Sequence, residues 1–177
     1  MNQSQGGKQK FLGVGIMNEI RYSPIGIIHS PFKKPEGTPI QPIGGKGISG
    51  TIEIFPQYVE GLKDLEGFSH LVLIYHFHLC RKSLLKVKPF MDNQPRGVFS
   101  TRAPSRPNPI GLSVVRLVKI EGSVLHVEDL DVVEGTPLLD IKPYVSQFDL
   151  REVDKIGWLE KNIHRLFSSR DDGRFIK

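Results

Sequence analysis

The sequence predicts a mainly β protein, a barrel or a sandwich, with a few short helices and a helix at its C-terminal end. Two observations carry that reading. Five or six short apolar or alternating runs follow one another between Gly- and Pro-rich turns, with little helical periodicity among them. From Asp154 the period changes. Ile156, Leu159, Ile163, Leu166 and Phe167 fall on one helical face, and Asp154 stands where an N-cap is expected. Gly157 weakens that helix, so it is expected to dock on the body or on a partner.

Residues 1–19 are polar and read as a flexible arm; organised sequence begins just after Met17, a second candidate start. The first ten residues do not make a secretory signal. Residues 20–150 form the predicted barrel domain and 151–177 its helical extension. Tyr22–His29 reads as a first strand, with Pro24 near its beginning, where proline is tolerated. Ser30–Gly47 holds four prolines and four glycines and is a long loop, a kind of segment that often carries function. Ile48–Phe55 partly alternates and reads as a strand. Pro56 suits the first turn of a short helix through about Leu65. Phe68–Leu79 is the most hydrophobic strand and is placed centrally. Arg81–Arg96 is a basic connector with a helical turn expected near Leu84. Leu112–Ile120 and Ser123–Leu130 are strands joined through Glu121 and Gly122, a hairpin. A Gly135-Thr136-Pro137 turn then leads to a short apolar piece ending at Pro143.

The stretch with the chemistry is Gly97–Gly111. Pro104, Pro107 and Pro109 exclude a regular helix or a central strand there, although strand-like runs flank it at Val98-Phe99 and after Gly111. Arg102, Arg106 and Asn108 are fixed among these prolines, which lowers the entropy lost when such side chains hold a ligand. Between Arg81 and Arg106, seven Lys and Arg stand against the single acid Asp92, a net +6 that suits a phosphate-bearing partner. At 38% hydrophobic and 24% charged residues the chain is globular rather than disordered, and Leu71–Leu79 is too short an apolar run to span a bilayer. The single Cys80 cannot form an internal disulfide and points to a reducing compartment.

Glu128, Asp129, Asp131, Glu134 and Asp140 place five carboxylates within thirteen residues. Carboxylates hydrogen-bond ribose hydroxyls and accept protons from a nucleophilic amine; they also keep a hairpin edge soluble. His76 and His78, two apart on a presumed strand, point to one face and would suit a cupin-like metalloenzyme, but no third ligand shares their spacing. No glycine-rich dinucleotide or phosphate loop and no nucleophile elbow occurs, and Ser100, Ser105 and Ser113 gain nothing from their sequence neighbours. Two readings from other classes stand beside an enzyme of transfer: the metalloenzyme, and a basic barrel that grips RNA without chemistry.

Four motifs in order, PIGIIHSPF (24–32), GLKDLEGFSHLVLIYHFH (61–78), GVFSTRAPSRPNPIGLS (97–113) and LDVVEGTPLLDIKPY (130–144), resemble the TsaA-like or TrmO family. The members are tRNA (adenine-37-N6)-methyltransferases that use S-adenosylmethionine. The resemblance runs from about Tyr22 to Phe148. It implies a small β-barrel and a homodimer with the cofactor near the subunit interface; the lone Cys80, the missing third ligand and the short apolar run fit a cytoplasmic enzyme with no metal and no membrane association. It also implies a tRNA anticodon arm as partner and an acceptor adenosine that already carries a threonylcarbamoyl group. The residues matching the family's cofactor pocket are Gln41, Pro42, His78, Leu79, Arg102 and Leu112, completed by the acidic turn Glu128, Asp129, Leu130 and Asp131. Some members carry glutamine where this chain has Leu79. Asn108, Asp131 and Asp140 are the candidates to hold the amine's protons, and Arg106, Arg96 and Lys88 the candidates to hold the RNA.

Overall fold

The structure, a computed structural model, describes residues 20–176. The arm expected over residues 1–19, with Met17, lies outside them. Six antiparallel strands close into a barrel: β1 (Gly26–His29), β2 (Gly50–Ile54), β3 (His70–His76), β6 (Ile110–Glu121), β7 (Val124–Glu128) and β8 (Thr136–Pro143). Around the barrel they run β1-β2-β7-β6-β3-β8 and back to β1. A separate two-stranded ribbon pairs β4 (Lys86–Val87) with β5 (Arg96–Gly97). Closure removes the free edges that an open sheet would offer to other chains.

Alternation along the strands builds the core. Leu71, Leu73 and Tyr75 of β3 and Val115 and Leu117 of β6 point inward with Ile28, Ile52, Leu125 and Val127, all buried. The expected hairpin is β6–β7, whose turn places Gly122 at φ +60, where a side chain is disfavoured. Register matters most at one end of the barrel. Tyr75 pairs with Gly111 and Leu73 with Ser113, so Gly111 and Ser113 face inward beside the Tyr75 ring.

Several expectations are corrected. The strand expected over Tyr22–His29 starts only at Gly26, two residues past Pro24, which restricts its predecessor and lacks the N–H a ladder needs. The Pro56 helix is a pair of 3-10 segments, Pro56–Leu62 and Leu65–Gly67. No helical turn forms at Leu84, and Val98–Ser100 is a 3-10 turn rather than strand. The helix expected from Asp154 does not form either. Gly157 adopts φ +60, outside the helical region, and the segment breaks into 3-10 turns at Gly157–Leu159 and Ile163–Arg165. The only α-helical turn among the described residues is Ser146–Asp149.

Instead of standing off as a helix, the tail binds the loops. The Asp171 N–H donates to the Thr38 carbonyl at 2.8 Å, and Gly37 N–H returns a bond to Asp171 at 2.8 Å. Phe175 packs with Val87, Val98, Ala103 and Phe90 in a second small core. This second core joins the proline loop, the basic connector and the tail into one body beside the barrel mouth.

At the start of the long early loop, Glu134 is the anchor. His29 Nδ1 meets its Oε1 at 2.9 Å and Ser30 N–H donates to Oε2 at 2.7 Å. These bonds, the histidine's first, hold the Glu134 carboxyl down at about 2. Because its folded pKa is depressed, the stabilisation is complete above the unfolded value of about 4.5 and is lost as pH falls from there toward 2. Glu134→Gln is expected to flatten that acid limb in urea unfolding followed between pH 5 and 2.

Candidate active site

A cleft of about 330 Å³ opens where the early loop, the end of β3, the proline loop and the start of β6 converge. That volume is at the small end of the range typical of ligand sites. Pro39, Ile40, Phe77, Leu79 and Val132 supply apolar wall; Gln41, His78, Arg102, Arg106 and Asp131 supply polar groups. One polar chain runs into it from the barrel interior. The Tyr75 hydroxyl donates to Ser113 Oγ at 3.0 Å, and Ser113 donates to Asp131 Oδ1 at 2.6 Å. Ser113 has a single hydroxyl proton, so its bond to the carboxylate fixes the direction of the chain.

Burial dominates the electrostatics. It lifts the Asp131 carboxyl to about 7, against the opposing pull of the Ser113 bond and of the nearby Arg102 charge. Burial, and secondly the Asp131 charge, lift the Tyr75 phenol out of reach of any ordinary pH, so it remains a donor. His78 is pushed below its usual value by burial and by His76. A carboxyl poised near neutrality in a cleft is suited to take up a proton during turnover.

Arg102 is held at the other side. Its Nη1 donates to Gln41 Oε1 at 2.7 Å, which ties the proline loop to the early loop across the cleft. Arg106 lines the same space, with Nη1 donating to the carbonyls of Thr101 (2.9 Å) and Ala103 (3.3 Å). It therefore also staples the loop in which it sits. The prolines give this loop its stiffness, and the arginine satisfies carbonyls that no regular structure covers.

Of the residues singled out from sequence, Gln41, His78, Leu79, Arg102, Arg106, Leu112 and Asp131 line this one cleft. The others sit elsewhere. Pro42 opens a 3-10 turn beside Gln41. Asp129, at φ +67, accepts Gly47 N–H at 2.7 Å and braces the early loop, while Leu130 is fully buried in the core. Glu128 ends β7. Asp140 pairs with Lys142 at 2.7 Å on β8, and Asn108 is exposed on the proline loop. Arg96 binds Asp92 at 2.6 Å and lies over the Trp158 ring; Lys88 is exposed. His78 lies beyond the end of β3, so the same-face spacing expected of His76 and His78 does not hold. No three His, Cys, Asp or Glu gather among the described residues.

Tyr75, Ser113 and the tail residues Asp171, Phe175 and Ile176 were not expected at the site. The sequence neighbours of Ser113 do nothing for it; its partners are 18 and 38 residues away. The signal that was available is Gly111, the small residue that faces Tyr75. A Cβ there would collide with the Tyr75 ring. Gly111→Ala is expected to force the ring aside, to cost about 1–3 kcal/mol by overpacking, and to loosen the Tyr75–Ser113 bond; urea unfolding measures the first effect.

The model of the tRNA-methyltransferase O N-terminal domain matches residues 27–150. The chain belongs to the TrmO family. A "probable S-adenosyl-L-methionine-binding protein" of Pyrococcus abyssi is 61% identical over 157 residues, covering 89% of this chain and 85% of that one. The human tRNA (adenine(37)-N6)-methyltransferase is 38% identical over 133 residues, covering 71% of this chain and 30% of the human protein. A crystal structure of TrmO shares 42% identity at a TM-score of 0.66, covering 78% of this chain and 64% of that one. TrmO from Pseudomonas aeruginosa shares 40% at a TM-score of 0.65, covering 77% and 60%. The chain thus spans about three-fifths of the solved TrmO chains. Its closed six-stranded barrel is the architecture expected from the TrmO resemblance.

Proposed function

We propose that this chain uses S-adenosylmethionine to methylate N6 of the tRNA adenosine at position 37, on a nucleoside that already carries threonylcarbamoyl. One observation carries the reading: a cation fixed by Gln41 and a proton acceptor poised near neutral pH line one apolar-walled cleft at the barrel mouth. Family membership and relatives named as binding S-adenosyl-L-methionine support it.

The residues fit the cofactor. Arg102 offers a charge-assisted hydrogen bond to a carboxylate, and Leu79, Phe77 and Val132 offer apolar wall to the rest of the molecule. When bound, S-adenosylmethionine supplies an electrophilic methyl group on a sulfonium. The substitution is in line, so what the protein contributes is mainly placement and exclusion of water. The acceptor nitrogen is a weak nucleophile with one hydrogen to lose. Asp131, as the carboxylate, takes that proton while the new N–C bond forms, and the Tyr75–Ser113 chain keeps its oxygen aimed. Arg106 pairs with the threonyl carboxylate, and the Arg81–Arg106 segment faces the phosphates of the anticodon arm. We place the enzyme in the cytoplasm as a homodimer that pairs across Leu79, Ile110 and Leu112, which line the cleft yet remain exposed.

The test compares two forms of one tRNA, an unmodified transcript and the threonylcarbamoylated species. Methylation of the modified form alone is expected. Equal methylation of both would remove the threonylcarbamoyl requirement.

A further inference from the structure

A second cavity, of about 540 Å³, also has the bonded pair Gln41 and Arg102 in its wall. Ile40, Gln41, Phe90, Thr101, Arg102 and Phe175 line both spaces, so the two share a wall. The tail closes the second one with Trp158, Leu159, Ile163 and Leu166, and the proline loop contributes Phe99. The match to the family domain ends at residue 150, so Trp158, Leu159, Ile163, Leu166 and Phe175 lie beyond it.

Its surface has a definite character. Four aromatic rings line it: Phe90, Phe99, Trp158 and Phe175. Phe99 is 75% exposed, a large ring left in water at the end of a rigid loop. The Trp158 ring is held in place, because its indole N–H donates to the Ser100 carbonyl at 2.8 Å. Arg96 lies 5.9 Å from the Trp158 centroid and Arg174 4.9 Å from that of Phe90, and each is also paired with a carboxylate, Arg96 with Asp92 and Arg174 with Asp172. Among the described residues no carboxylate lines the cavity, while Gln41, Ser100 and Thr101 supply polar edges.

We propose that this cavity is a subsite for the base of a nucleotide adjacent to the acceptor adenosine, stacked on Phe99 with Trp158 as its floor. The inference rests on the reading of tRNA as substrate. An exposed ring beside a fixed indole suits a planar neutral base, and Arg102, which lines the cavity, suits the phosphate that the base carries. The shared wall is what ties the subsite to the reaction: with one base in the first cleft, the neighbouring base of a splayed single strand reaches the second. A protein partner would use the exposed ring equally well but has no need of a cavity that shares a wall with the cleft. The consequence is that the tail, through Trp158, helps choose the loop sequence that is methylated.

The test uses the full chain and a threonylcarbamoylated anticodon stem-loop RNA, beside the same RNA made abasic at each nucleotide flanking the acceptor. Phe99→Ala is expected to weaken RNA binding about five- to hundred-fold with S-adenosylmethionine affinity unchanged, and Phe99→Tyr to restore it. One abasic RNA should weaken binding to the parent chain by a similar factor, yet cost Phe99→Ala less than about two-fold more. Losses that multiply for both abasic positions would overturn the subsite. So would a parent oligomer that Phe99→Ala dissociates in light scattering, since the ring would then be a subunit contact. If the parent binds and methylates the intact RNA while Phe99→Ala does so equally well, the subsite alone fails. If the parent neither binds nor methylates it, the tRNA reading fails first and takes the subsite with it.

Discussion

Asp131→Asn is expected to slow methyl transfer about a hundred- to ten-thousand-fold while cofactor affinity stays within a few-fold. Asparagine keeps the oxygen that accepts from Ser113 but cannot take up a proton. The pH dependence separates this from a loss of structure. With the carboxyl lifted to about 7 by burial, activity of the parent should rise with pH through that value, and the residual activity of the variant should not. Stability moves in the opposite sense. The folded state holds the Asp131 proton more tightly than the unfolded chain, so the parent loses stability as pH rises from about 4 to 7 and then levels off. The asparagine variant has no charge to bury and should gain on the parent across that window. A variant less stable than the parent at every pH would point to a structural role instead.

Arg102→Ala is expected to weaken S-adenosylmethionine about ten- to hundred-fold, the loss of a charge-assisted hydrogen bond of roughly 1.5–3 kcal/mol. The fold should survive, because the side chain is exposed and its Gln41 contact joins two loops rather than two strands. A second effect distinguishes this site from a distant cation. The Arg102 charge pulls the Asp131 carboxyl downward, so its removal should move the rising limb of the pH–rate profile to higher pH. Calorimetry with the cofactor reads the first effect and the rate profile the second. Unchanged affinity would take Arg102 out of the cofactor site.

The barrel was legible in the strand runs because alternation reports directly which residues face a core: Leu71 and Leu73, or Val115 and Leu117, are buried as their spacing implies. Much of the cleft was legible too, through the prolines that fix Arg102 and through the acidic turn holding Asp131. What was hidden depends on contacts distant in sequence. Tyr75 and Ser113 meet only because β3 and β6 pair in one register, which no local pattern announces. The tail misled for a different reason. Its apolar residues keep a helical period, but Gly157 at φ +60 breaks the turn, and the tail is held instead by the Asp171 bonds to Gly37 and Thr38 and by Phe175 in the second core. Tertiary packing overrode local propensity there. Asp140 and Asn108 show the converse limit: composition marked them as candidates, and the fold places neither along the cleft.

The proposed reaction is a methyl transfer to the base beside the anticodon, carried out at the barrel mouth. Incubation of threonylcarbamoylated tRNA with the full chain and S-adenosylmethionine bearing a deuterated methyl group tests it most directly, with nuclease digestion and mass spectrometry locating the label. The account predicts one labelled methyl on N6 of the threonylcarbamoyl adenosine at position 37, absent with Asp131→Asn. Label on a ribose, on another base, or on no nucleoside at all while the cofactor is consumed would contradict it.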